Sequence, residues 1–174
     1  MYAKEVVIPE KVDVEIAGNN AIVSGPRGQV EKRLETTAEI KIEKQGNKII
    51  VSSEQEKRKV KALIGTTAAH IKNLIEGVTK GFTYKLKIVF SHFPIQVKVE
   101  KDKVLFLNFL GERTPRVAKI VGNTEVKAEG QDITVYGIDL EAVGQTASNM
   151  EIATKRTGYD KKIFQDGCYI VSRE

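Results

Sequence analysis

The chain carries the same sequence pattern twice, about 80 residues apart. Three pairs of glycines with similar neighbours mark the repeat, at separations of 83, 84 and 79 residues: Gly28 and Gly111, Gly46 and Gly130, Gly65 and Gly144. A repeat of this length is too long for a solenoid unit and is typical of a small domain. We therefore expect two domains, residues 1–81 and 82–174.

Each repeat predicts short strands of alternating apolar and polar residues, followed by one helix. In the first repeat the first predicted strand begins at Val12, and the capping-box pattern of Ser53 and Glu56 predicts the start of the helix. In the second repeat Asp139 is the predicted helix cap. Residues 157–172 then add an extension and a closing strand. The expected fold class is α+β: two tandem copies of a small lobe, each an antiparallel-rich β-sheet with one α-helix packed on a face.

Composition argues against enzymatic chemistry. A single cysteine, Cys168, excludes an internal disulfide and all cysteine-based metal sites, and it is consistent with a reducing cytosol. The chain has only two histidines, and the glycine-rich turn at residues 25–28 lacks the Lys-Ser/Thr of a phosphate-binding loop. We expect no catalytic residues, no metal site and no cofactor. No apolar run approaches the roughly 20 residues that a membrane helix needs, so we expect no membrane partner.

Charge is unevenly distributed in the second repeat. The net charge of the chain is +5, but residues 80–119 carry nine Lys and Arg against three acids, and residues 120–154 carry one against six. Residues 155–162 return to four basic residues against one acid. The second repeat is therefore polarised in charge, which a plain soluble domain does not require.

Three segments in the second repeat combine basic or polar residues with aromatic rings or prolines. Loop 91–94 reads Ser-His-Phe-Pro, turn 110–116 contains two arginines, and segment 155–164 alternates basic residues with Tyr159 and Phe164. Lys and Arg neutralise phosphates, and aromatic rings stack on unpaired bases. The alternative is that these are solvated turns without a function. RNA binding is favoured only if the fold brings the three segments together.

Several motifs resemble the ribosomal protein L6 family of the large subunit, in its archaeal and eukaryotic branch. They cover essentially the whole chain and lie at residues 25–28, 73–82, 84–95, 108–112, 137–147 and 159–171. The resemblance implies a non-enzymatic structural constituent of the large ribosomal subunit. It also implies that the protein is cytoplasmic and binds large-subunit (23S-type) rRNA mainly through its C-terminal lobe, near the translation-factor-binding region and the stalk base.

The resemblance further implies partners and contact residues. The expected partners are large-subunit rRNA, neighbouring ribosomal proteins and translation factors, and the free protein is expected to be a monomer. The residues expected to bind RNA, with the two aromatic ones packing or stacking, are Lys85, Lys87, His92, Phe93, Arg113, Arg116, Lys155, Arg156, Tyr159, Lys161 and Lys162. The alternative function is a non-catalytic protein–protein adaptor that docks through its sheet edges or its acidic second helix.

Overall fold

The chain folds into two compact units, Met1–Gly81 and Phe82–Glu174. Our computed structural model describes residues 2–34, 40–55 and 57–174. Both units combine antiparallel sheets with one α-helix, which confirms the predicted α+β class. Among the described residues, no helix is both long and apolar enough to cross a membrane.

Within its described residues, the N-terminal unit contains six strands and one helix. They are β1 (Tyr2–Val7), β2 (Asp13–Ala17), β3 (Asn20–Gly25), β4 (Gly28–Arg33), β5 (Lys41–Gln45), β6 (Lys48–Ser53) and α1 (Arg58–Thr79). The strands form two three-stranded antiparallel sheets, in the orders β1-β6-β5 and β2-β3-β4. Helix α1 contacts strands of both sheets. Its fully buried residues Ile64 and Ile71 join Val23 and Ile49 in one core, and each such side chain contributes about 1.5–3 kcal/mol of burial.

The C-terminal unit contains seven strands, a one-turn 3₁₀ helix (Phe109–Gly111) and one α-helix. They are β7 (Phe82–Val89), β8 (Gln96–Val99), β9 (Lys103–Leu107), β10 (Arg116–Lys119), β11 (Glu125–Glu129), β12 (Asp132–Gly137), α2 (Leu140–Ala153) and β13 (Gly167–Arg173). The sheets have the orders β10-β9-β8 and β11-β12-β7-β13. The core gathers Phe106, Phe109 and Met150, all essentially inaccessible to solvent.

The two units repeat one topology, as the glycine pairs predicted. Gly46 and Gly130 occupy equivalent hairpin turns with φ of 59° and 62°, a left-handed conformation that favours glycine. Gly65 and Gly144 lie in the two helices. Strand β13 has no counterpart among the described strands of the N-terminal unit, and it pairs with the outer edge of β7.

The start of α1 differs from the prediction. The helix begins at Arg58, and its N-cap residue Lys57 makes no capping hydrogen bond through its side chain. Ser53 is instead the last residue of β6, and its hydroxyl oxygen accepts a hydrogen bond from the Gln55 N–H (3.2 Å). Glu56 lies outside the described residues. A serine can satisfy a nearby backbone donor without starting a helix, which is why the pattern was misleading.

The start of α2 confirms its prediction. Asp139 is the N-cap residue, and its carboxylate accepts a hydrogen bond from the Glu141 N–H (3.0 Å).

Two features of the strands were not predicted. Strand β1 was missed because only one of its six residues, Val6, is buried, so its sequence lacks a clear alternation. The single sheet expected in each unit is two sheets, because a sequence pattern identifies strands but does not determine which strands pair.

Candidate nucleic-acid interface

A buried carboxylate joins the first and third of the predicted binding segments. Asp166, just after segment 155–164, is fully buried. Its Oδ1 accepts a hydrogen bond from the Ser91 N–H (2.9 Å), and its Oδ2 lies 4.0 Å from His92 Nδ1. Loop 91–94 is thereby fixed to a part of the chain that is 75 residues distant in sequence.

Three aromatic rings meet where these two segments join. The ring of Phe164 lies 4.7 Å from the imidazole of His92 and 5.0 Å from the ring of Tyr159, measured between centroids. The side chains of His92 and Tyr159 remain 43% and 44% exposed. The cluster therefore packs against its own unit while still offering ring surface to a partner.

Turn 110–116 packs against the same loop. A Cβ atom at Gly111 would lie 3.4 Å from the ring of Phe93, and Gly111 has a φ of +76°. The amide nitrogen of Asn108 donates a hydrogen bond to the Pro94 carbonyl (3.1 Å). Asn108 and the buried Leu110 both adopt left-handed backbone conformations, with φ of 58° and 50°. A left-handed leucine is uncommon and costs about 1 kcal/mol or more, so this turn is held in place by its surroundings.

Arg116 connects turn 110–116 to the end of α2. Its guanidinium donates two hydrogen bonds to the Glu112 carboxylate (2.8 and 2.6 Å) and lies 4.4 Å from the centre of the Phe109 ring. It also donates to the carbonyls of Ala153 (3.2 Å) and Lys155 (2.8 Å). The hydrogen bonds from Arg116 lower the pKa of Glu112. A cation at the C-terminal end of a helix also complements the helix dipole.

Arg156 has a similar internal role. Its Nη1 donates to the Asp166 carbonyl (3.3 Å) and to the hydroxyl of Tyr169. Arg116 and Arg156 were both predicted to contact RNA, but their guanidinium groups bind protein atoms. These contacts position the surface, and contact of either guanidinium group with RNA stays a prediction.

The remaining basic residues of the predicted set differ in their availability. Lys85 is bound to the Glu174 carboxylate (2.9 Å), and this hydrogen bond lowers the pKa of Glu174. The other five are exposed and have no side-chain partner within the described ranges: Lys87, Arg113, Lys155, Lys161 and Lys162. Lys87 on β7 is directly opposite Tyr169 on β13. The exposed Lys87 therefore lies beside the residue whose hydroxyl binds Arg156.

The structure thus brings the three predicted segments together in one region of the C-terminal unit. Sequence reasoning missed the residues that hold them, above all Asp166, Glu112 and Tyr169. Asp166 lies between Gln165 and Gly167 in an irregular segment, and nothing in that stretch marks it as buried. Its burial depends on contacts with residues far away in sequence, which local patterns do not encode.

Within residues 2–34, 40–55 and 57–174, no group of three or more His, Cys, Asp or Glu residues could hold a metal ion. Cys168 is buried on β13, and burial together with the charge of Glu151 raises the pKa of its thiol to about 12. An un-ionised thiol of this kind is a poor nucleophile.

Comparison with known proteins finds the same family in both units. The family described as Ribosomal protein L6 matches residues 8–81 and 93–167, one segment in each unit. A relative from Ignicoccus hospitalis, named Large ribosomal subunit protein uL6, is 50% identical over 171 residues, which cover 96% of this chain and 92% of the relative. Proteins of the same name from Methanothrix thermoacetophila and Methanobrevibacter smithii are 49% and 48% identical, covering 95% and 98% of this chain and 94% and 96% of their own lengths.

Proposed function

The chain belongs to the ribosomal protein L6 family, and we propose that it is a constituent of the large ribosomal subunit that binds large-subunit rRNA mainly through its C-terminal unit. Membership of this family gives the protein a structural role in the ribosome rather than an enzymatic one. The observation that carries the RNA-binding proposal is the convergence of loop 91–94, turn 110–116 and segment 155–164. Their contacts with one another bring separate basic and aromatic residues into one surface.

The chemistry of this surface suits folded RNA. Lys87, Arg113, Lys155, Lys161 and Lys162 are exposed cations that can neutralise phosphates. The partly exposed rings of His92, Phe93 and Tyr159 can pack against sugars or unpaired bases. Backbone and shape contacts of this kind position a protein on RNA without reading its sequence. In this proposal the site lies near the translation-factor-binding region and the stalk base, and the free protein is a monomer.

Charge reversal at the exposed lysines tests the proposal. The double variant Lys161→Glu/Lys162→Glu should bind an rRNA fragment from the stalk base at least about tenfold more weakly at 0.15 M salt, because it replaces two phosphate contacts with repulsion. The matched control is Lys57→Glu/Lys59→Glu in the N-terminal unit, which makes the same change in net charge at two exposed lysines. The control should change affinity less than about twofold. Equal losses in both variants would reject a site in the C-terminal unit.

One form of the adaptor alternative has less support. Carboxylates of the acidic second helix already bind their own unit. Glu151 Oε1 accepts a hydrogen bond from the Ile170 N–H of β13 (2.8 Å), and Asp139 caps the helix. The other form of the adaptor alternative, docking through a sheet edge, concerns strand β1 of the N-terminal unit.

A further inference from the structure

Strand β1 leaves one edge of its sheet open. Among the described residues β1 pairs only with β6, so its outer edge has no strand partner. A groove of about 450 Å³ runs along this edge, between β1 and α1. It is lined by Lys4, Glu5, Val6, Val7, Gly65, Ala68, Ala69 and Lys72. Open edges present unpaired N–H and C=O groups, and natural proteins usually cover them.

The duplicated unit contains an occupied version of the same edge. In the N-terminal unit Val6 pairs with Ile49 of β6, and in the C-terminal unit Leu86 pairs with the equivalent Ile133 of β12. The other neighbour of Leu86 is Ile170 of β13. The groove therefore lies where the C-terminal unit places its added strand.

The helix side of the groove corresponds as well. The 79-residue offset between Gly65 and Gly144 matches Lys72 with Glu151. The two glycines also face equivalent strands. A Cβ at Gly65 would lie 3.5 Å from Lys4 Nζ on β1, and a Cβ at Gly144 would lie 3.8 Å from the Tyr84 hydroxyl on β7. Glu151 holds β13 by accepting its Ile170 N–H. At the equivalent position, the N-terminal unit has the cation of Lys72 in place of the Glu151 carboxylate.

We propose that an extended, acidic segment of a partner protein docks on β1 as an antiparallel strand, in the position that β13 occupies in the C-terminal unit. Lys4 and Lys72 line the groove, whereas the carboxylate of Glu5 is already bound to Lys48 (2.8 Å). Charge complementarity therefore favours carboxylates on the incoming strand. Lys72 also lies 3.7 Å from Glu76, but this pair is exposed and weak, so it leaves the ammonium available.

The shape of the groove suits a strand with small or apolar residues facing α1. Gly65, Ala68 and Ala69 carry little or no side chain, so the helix leaves room beside β1. Val7, at 65% exposure, offers apolar surface on the other face of the strand. Backbone hydrogen bonds along an open edge provide affinity in such strand addition, and alternate side chains provide specificity. This inference concerns the N-terminal unit alone and does not depend on RNA binding by the C-terminal unit.

Photo-crosslinking in assembled large subunits tests the inference. p-Benzoylphenylalanine in place of Val7 should crosslink on irradiation to a segment of another protein, and mass spectrometry should identify that segment as acidic and extended. Crosslinks to rRNA, to a second copy of this chain, or to nothing would each overturn the proposal.

A pair of variants tests the charge requirement of the same contact. Lys72→Glu should lower the yield of the Val7 crosslink by about fivefold, because a favourable ion pair becomes a repulsive one. The control is Lys59→Glu, the same change at an exposed α1 residue that does not line the groove. The crosslink yield of this variant should match that of the protein that carries only the p-benzoylphenylalanine. Equal yields from both variants would contradict an acidic partner strand.

Discussion

Single side chains with internal partners decide how the candidate RNA surface is built. Asp166 is the clearest case, because it is fully buried and yet belongs to an irregular segment. It satisfies the backbone N–H of Ser91 and so fixes the loop that carries His92 and Phe93. The exposed lysines of segment 155–164 can act together with that loop only while this connection holds.

Replacing Asp166 with Ala should lower the free energy of unfolding of the C-terminal unit by about 1–3 kcal/mol, because the Ser91 donor loses its partner. Asp166→Asn should lose less, since an amide oxygen can still accept this hydrogen bond. Urea unfolding measures both effects. Asp102→Ala, at an exposed position in the β8–β9 turn, serves as the control and should cost less than about 0.5 kcal/mol. An Asp166→Ala protein as stable as the control would show that the anchor is dispensable.

Glu112 should make stability depend on pH. Hydrogen bonds from Arg116 lower its pKa in the folded state below the ordinary value of 4.5. Its contribution to stability is therefore complete above that value and is lost as the pH falls through the lowered pKa. Between about pH 5 and pH 3, the Glu112→Gln variant should lose stability less steeply than the unaltered protein. Glu125→Gln, at an exposed position on β11, should leave the steepness unchanged, and identical profiles for Glu112→Gln and the unaltered protein would contradict this role.

At the scale of elements, the two equivalent helices begin differently. Helix α2 has an aspartate N-cap whose carboxylate accepts a hydrogen bond from the Glu141 N–H, whereas the N-cap residue of α1, Lys57, makes no such bond through its side chain. The first turn of α1 also has no acidic residue and contains Arg58 and Lys59. Cations there oppose the helix dipole. Helix α1 is therefore held mainly by its buried apolar face.

Introducing a cap should stabilise α1. Lys57→Asp should raise the free energy of unfolding of the N-terminal unit by about 1 kcal/mol and slow hydrogen exchange in the first turn, because Lys57 already has the extended backbone that an N-cap needs. Asp139→Ala is the converse change and should lower the stability of the C-terminal unit by about the same amount. Faster exchange in the Lys57→Asp variant would contradict this explanation.

The elements also show what sequence patterns can and cannot predict. The hairpin turns at Gly46 and Gly130 and the cap of α2 at Asp139 could be predicted because their signals are local. Strand β1 could not, since only Val6 of its residues is buried and its pairing with β6 joins residues that are distant in the sequence. The three segments of the candidate site could be proposed from their basic and aromatic residues, and the individual contact residues from the resemblance to the ribosomal protein L6 family. The division between exposed lysines and the internally bound Arg116 and Arg156 required the three-dimensional contacts.

At the scale of the whole molecule, the two units share one fold and differ in the segments added to it. Both units share the same strand order and one packed helix, as the sequence repeat predicted. The C-terminal unit adds residues 155–166, which contribute part of the basic and aromatic side chains of the candidate site, and strand β13, which covers the edge of β7. The described part of the N-terminal unit has no such addition, and there the corresponding edge of β1 is open. We assign RNA binding to the surface that residues 155–164 form with loop 91–94 and turn 110–116, and docking of a protein strand to the open edge of β1.

The most direct test of the central claim is the salt dependence of rRNA binding by the unaltered protein. If Lys87, Arg113, Lys155, Lys161 and Lys162 each neutralise one phosphate, log K should fall with log salt at a slope of about −4 for the stalk-base fragment. Binding should also be clearly tighter than to an unrelated structured RNA of equal length. A slope near zero, or equal affinity for the two RNAs, would contradict the assignment of these five residues to a specific rRNA-binding surface.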